Sequence, residues 1–271
     1  MQETPKIVLF ADLLGFGKMT EECNLDLDFI SRSDQLDVQF GQVFKAKNPL
    51  THAFTEFHFA VRGALQLANL THSSTAITFS DSAFVATTQL YKAVGIATHL
   101  MKSLLSRGVP MRAGIASGSF EAVRFRSDIS IDGGDHAAHF LGTGVTRAHA
   151  SEGCGIKGCR IVLHPTASVL LKNPLHNPPH PAAEHVRYLE CTPTECNNKV
   201  AALHEVDYWS FGRTDEKDAW RALQEMWDSA PESENHHYVA TAEAINRMRI
   251  NRGELPMSDL RRRTLPRSKS K

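Results

Sequence analysis

The stretch Ile7-Val8-Leu9-Phe10-Ala11-Asp12-Leu13-Leu14-Gly15-Phe16-Gly17 constrains this chain more than any other part of it. Its leading apolar run suits a strand buried on both faces, and a single carboxylate, Asp12, stands where that run ends. An acid in such a place needs partners, because a buried charge without them is costly. Gly15 and Gly17 bracket Phe16 directly afterwards, so the backbone can turn tightly and expose its amides before the next element. A strand, an acid and a glycine turn make a site suited to a metal and a phosphate. The same residues also fit a buried strand followed by an ordinary turn.

A chain of 271 residues has room for one sizeable domain and an ample core. Its 30 Lys plus Arg balance 30 Asp plus Glu, so no overall field draws it to nucleic acid or to an anionic membrane. The cysteines, Cys23, Cys154, Cys159, Cys191 and Cys196, are sparse and odd in number, which suits a reducing compartment. The spacings Cys154-x4-Cys159 and Cys191-x4-Cys196 are loose for a four-sulfur zinc site, and unligated thiols are the simpler reading. The N-terminus carries an acid and no signal-length apolar core, and no run reaches the ~20 apolar residues of a membrane span. A soluble, cytoplasmic protein with a locally bound partner is expected.

Along the chain, Phe54, Phe57, Val61, Leu65 and Ala68 recur at helical steps and predict a helix that packs on a sheet. Two short strands follow, Ala76–Phe79 and Ala83–Ala86, around Ser80-Asp81-Ser82, so a second acid sits at a hairpin tip. A stripe from Leu90 to Leu105 predicts another helix, ended by Arg107-Gly108. Met111, Ala113 and Ile115 then alternate with Arg112, Gly114 and Ala116 as a fourth strand. This order is the α+β, ferredoxin-like βαββαβ arrangement, an antiparallel sheet with helices on one face. Its topology brings Asp12 and Asp81 to one sheet edge.

Beyond that core, residues 128 to 139 read as a polar hairpin or loop, and Val145–Ser151 as a helix. Arg160–Leu163 reads as a strand, and Pro165 to Leu171 as a short helix. A proline-rich connection over 173–181 precedes strands at His185–Glu190 and Glu205–Phe211. Trp220, Leu223 and Trp227, then Tyr238, Ala242, Ile245 and Met248, mark two C-terminal helices. Residues 261 to 271 are basic and unstructured in composition.

Two carboxylates at one sheet edge can hold two divalent cations when a polyphosphate supplies the remaining oxygens. Four motifs then carry a resemblance: Ala11-Asp12-Leu13-Leu14-Gly15-Phe16, Thr78-Phe79-Ser80-Asp81, Met111 to Gly118, and Leu141-Gly142-Thr143-Gly144-Val145. In this order they resemble the class III nucleotide cyclases, closest to the bacterial pyrimidine cyclases of the Pycsar anti-phage systems, over roughly residues 6 to 165. The resemblance implies a homodimer with sites at the interface, and a nucleoside triphosphate cyclised to a 3′,5′-cyclic monophosphate and pyrophosphate. It implies two Mn²⁺ or Mg²⁺ ions held by Asp12, Asp81 and the carbonyl of Leu13, with Gly15, Phe16 and Gly17 in the triphosphate loop. Residues 1–214 would be the cyclase catalytic domain, 215–260 a helical extension and 261–271 a disordered tail.

The departures from the family pattern bear on the substrate. Where adenylate cyclases place a base-reading Lys, this chain has Ile77, and where they place a base-reading Asp it has His139. A smaller, more apolar pocket fits a pyrimidine, because a site built for other hydrogen bonds penalises a base that cannot satisfy them. UTP is expected, giving cyclic UMP as an antiviral second messenger for a separate effector; CTP, or a purine triphosphate read by other residues, is the alternative. The family's transition-state Asn and Arg fall at Thr146 and Ala150. Arg147, one turn away, and Arg112, on the neighbouring strand, are the candidate replacements. Arg147 as a solvated helix residue and Arg112 as a strand residue paired with an acid are the plainer readings. A non-catalytic nucleotide-binding module on the same fold would also account for Thr146 and Ala150.

Overall fold

The computed structural model describes residues 5–30, 48–68, 74–126, 136–180, 183–187, 191–194, 203–210 and 216–260, with the backbone alone at 123–126, 136–139, 180 and 183–187. Strand β1 (Lys6–Leu13) runs into helix α1 (Phe16–Glu22), and α2 (Pro49–Leu67) leads to a hairpin of β2 (Thr75–Thr78) and β3 (Ser82–Thr87). Helix α3 (Leu90–Leu105) and β4 (Met111–Gly118) complete the repeat. The four strands lie in the order β4-β1-β3-β2, all antiparallel, which is the expected ferredoxin-like arrangement.

The sheet continues past β4 through β7 (Ile161–Leu163), β11 (Leu203–Val206) and β10 (Cys191–Thr194), with β7 parallel to β4. Strands β5 (Glu121–Arg126) and β6 (His136–Leu141) form a separate hairpin, as do β8 (Pro179–His180) and β9 (Ala183–Arg187). Helix α4 (Thr143–Glu152) follows β6, the short α5 (Pro165–Ser168) follows β7, and α6 (Glu216–Ser229) and α7 (Asn235–Asn251) end the described chain. The expected strand over Glu205–Phe211 is shorter: it ends at Val206, where Asp207 accepts from the amides of Trp209 and Ser210 and turns the backbone out of the ladder. Strand β10 was hidden in the sequence by Pro193, which an outermost strand accommodates because one side makes no ladder bonds.

Period-two alternation along β1 divides the core. Ile7, Leu9, Ala11 and Leu13 join the cluster built with α2 and α3, while Val8 and Phe10 join Phe84, Ala86, Ala116 and Ala148 of α4. The helices of the βαββαβ core, α2 and α3, share one sheet face as expected, and α4, which follows that core, lies on the opposite face. It packs that closely because β4 offers it Gly114: a Cβ there would sit 2.0 Å from the carbonyl oxygen of Ala148. Helix α2 starts at Asn48, whose side chain accepts from the amides of Leu50 at 2.9 Å and Thr51 at 3.2 Å, with Pro49 preset for the first turn. The C-terminal helices put Ala219, Trp220, Leu223, Ile245 and Met248 into the same cluster as β1, α2 and α3. Residues 261 to 271 lie outside the described part.

Candidate active site

Asp12 is the penultimate residue of β1, opposite Ser82 on β3 and Arg112 on β4. The next amide, that of Leu13, donates to the carbonyl of Asp81 at 3.0 Å, which fixes the tip of the β2–β3 hairpin against the end of β1. The two acids are thus neighbours at one sheet edge. Ser80 Oγ donates to Asp81 Oδ1 at 2.9 Å and orients that carboxylate. Burial, then the negative charges of Glu152 and Asp81, push the Asp12 carboxyl up to about 7, against the opposing pull of Arg112. An excess of negative charge held in a partly desolvated place is what a divalent cation relieves, so Asp12 and Asp81 fit a metal. Among the described residues no group of three or more His, Cys, Asp or Glu is gathered at one point, so the carboxylates that fit the ion here are two.

The glycine turn follows the acid directly. Gly15 takes a left-handed φ of 78° as the N-cap of α1, a conformation that a side chain would strain. Phe16 is 4 % exposed and packs into the core, so it contributes its backbone to the turn and its ring to the fold. Leu13 is likewise buried, with its carbonyl at the end of β1, and Gly17 has open space around its Cα. Ile77 lies opposite Phe84 on β3 and, like Phe140, packs against the cluster that holds Phe84, an apolar wall beside the hairpin. His139 pairs with Val123 in the β5–β6 hairpin; its side chain is outside the described part.

Both candidate cations are engaged within the chain. Arg112 Nη2 lies 2.6 Å from Glu152 Oε1, and Arg147 Nη1 donates to the carbonyl of Ser117 at 3.0 Å. Thr146 and Ala150 lie one turn apart on α4 and are both exposed. Glu152 escaped the sequence reading: it sits far along the chain from Asp12, and only the placement of α4 on the opposite sheet face brings it close. Its one signal was Arg112, a strand cation that needed an acid. No disulfide joins the described cysteines; Cys154 and Cys159 are buried in different clusters, and burial pushes the Cys159 thiol up to about 11.

No protein-family model and no curated protein matches this chain. Solved structures do. The dimeric guanylyl cyclase domain of the RhoGC fusion protein from the aquatic fungus Blastocladiella emersonii superposes with a TM-score of 0.50 at 12% identity, over 75% of this chain and 96% of that one. A bacterial light-regulated adenylyl cyclase matches with a TM-score of 0.50 at 11% identity, over 83% of this chain and 57% of that one. The chain thus has the fold of nucleotide cyclase catalytic domains.

Proposed function

We propose that the protein is a metal-dependent nucleotide cyclase that converts UTP to 3′,5′-cyclic UMP and pyrophosphate. The observation that carries this reading is the meeting of Asp12 and Asp81 at the end of β1, in the fold shared with cyclase domains. Asp12, Asp81 and the carbonyl of Leu13 would hold two Mn²⁺ or Mg²⁺ ions. Such ions, when bound, lower the pKa of the ribose 3′ hydroxyl and neutralise charge on the departing pyrophosphate. The 3′ oxygen attacks the α-phosphorus in line with the β-phosphate oxygen that leaves, and the protein contributes mostly position. Gly15, Phe16 and Gly17 receive the triphosphate through the backbone of the turn. Ile77 and His139 border the base, and Arg112 or Arg147 serves the α-phosphate in place of the family's arginine.

The apolar wall of Ile77, Phe84 and Phe140 supports a small base, with CTP as the nearest competitor. The active form is a cytoplasmic homodimer over residues 1–214 with helices 215–260 attached, and the product signals to a separate effector in anti-phage defence. The test is pyrophosphate release from each of the four triphosphates with Mn²⁺. Release from UTP ahead of the others is expected, and release from ATP or GTP alone would overturn the pyrimidine assignment. A non-catalytic nucleotide-binding module is the second reading, favoured by the internal engagement of both arginines and the exposure of Thr146 and Ala150. It predicts triphosphate binding with no release.

A further inference from the structure

The reading of Asp12 as a metal ligand leaves an electrostatic difficulty. Its direct cross-strand neighbour on β4 is Arg112, on the same pleat face, and a guanidinium there opposes binding of any cation. The structure supplies a counter-charge from the other side. Glu152, the last residue of α4, has a side chain only 6% exposed, and it takes the ion pair with Arg112 at 2.6 Å. Nε of Arg112 and Oε1 of Glu152 are both buried with no hydrogen-bond partner among the described residues, so the pair is held by charge, and Glu152 is the acid in contact with this guanidinium. The end of α4 is also fixed in place: a Cβ on Gly114 would meet the Glu152 amide nitrogen at 2.6 Å, so the helix terminus rests directly on β4.

We infer that Glu152 is a positioning residue for the metal carboxylate: by taking Arg112 into an ion pair it cancels the guanidinium charge beside Asp12 and leaves that carboxylate available to a divalent cation. The inference rests on the metal reading of Asp12. Asp12, Arg112 and Glu152 together carry one net negative charge. Glu152→Gln removes it, Arg112→Met doubles it, and the double variant restores it without the pair.

The test is Mn²⁺ titrated into nucleotide-free protein, with free Mn²⁺ read by electron paramagnetic resonance and melting temperature recorded on the metal-free samples. Glu152→Gln is expected to weaken Mn²⁺ binding at least about tenfold, a lower bound, because one unit charge lost several ångströms from a divalent cation is worth more than that at an effective dielectric constant of about 20. Arg112→Met tightens binding even though it lowers the melting temperature, and the double variant binds as the wild type does. A purely structural pair would instead weaken binding in both single variants alongside melting, with no recovery in the double variant; that result overturns the inference, as does unchanged binding in Glu152→Gln. If Asp12→Asn binds Mn²⁺ as tightly as the wild type, the metal reading of Asp12 fails and takes the inference with it.

Discussion

Asp12 is the residue on which the chemistry turns, and its raised carboxyl pKa has two consequences. A proton and a cation compete for the same oxygens, so Mn²⁺ affinity should fall as pH drops below about 7, approaching tenfold per pH unit. Calorimetric titration between pH 6 and pH 8 measures this; affinity independent of pH would contradict it. The second consequence concerns stability. The folded protein keeps on Asp12 a proton that the unfolded chain releases near the ordinary carboxylate pKa of about 4. The stabilisation is complete below that value and is lost as pH rises through about 7, where the folded protein also gives up the proton and carries a partly buried charge. Asp12→Asn should therefore melt above the wild type at pH 8 without metal and level with it at pH 4. Equal differences at both pH values would mean that the carboxyl ionises as freely as in the unfolded chain.

At the scale of elements, α4 is the part that decides the geometry of the site, because it carries Arg147 and Glu152 across the face on which Asp12 lies. Its seat on β4 depends on Gly114. With Ala148 O only 2.0 Å from where a Cβ would stand, Gly114→Ala must lift the helix. A loss of about 2–3 kcal/mol is expected from such overpacking, read by urea denaturation. A loss below about 0.5 kcal/mol, the scatter of ordinary surface changes, would show that α4 is free to shift. Here the limits of the sequence are clear in physical terms. Periodicity located β1, the β2–β3 hairpin, α3 and β4, and the short right-handed connections then placed Asp12 beside Asp81. Periodicity says which face of α4 is apolar, but not which side of the sheet receives it, so the Arg112–Glu152 pair was out of reach. The outermost β10 was invisible for a related reason, since Pro193 and its polar neighbours look like a loop until β11 lies alongside.

Over the whole molecule, the C-terminal helices belong to the same core as the first strand. Ala219, Trp220, Leu223, Ile245 and Met248 pack in one cluster with Leu9 and Phe57, and Arg247 on α7 lies 2.7 Å from the buried Glu205 of β11. Fully burying a large apolar side chain is worth about 1.5–3 kcal/mol, so losing several exceeds the net stability of most domains. A chain ended after Gly212 should therefore be insoluble or unfolded by circular dichroism, whereas a folded, soluble product would make residues 215–260 a separable appendage. The helical stripes were legible in the sequence, but their destination was not, because an amphipathic face does not name its partner. The central claim, that the Asp12 and Asp81 carboxylates serve a cyclisation, is tested most directly by chromatography and mass analysis of the products after incubation with Mn²⁺ and UTP, beside Asp12→Asn and Asp81→Asn. Cyclic UMP from the wild type and from neither variant is the predicted result. Intact UTP from a wild type that still binds it, or the same product from either variant, would contradict the account.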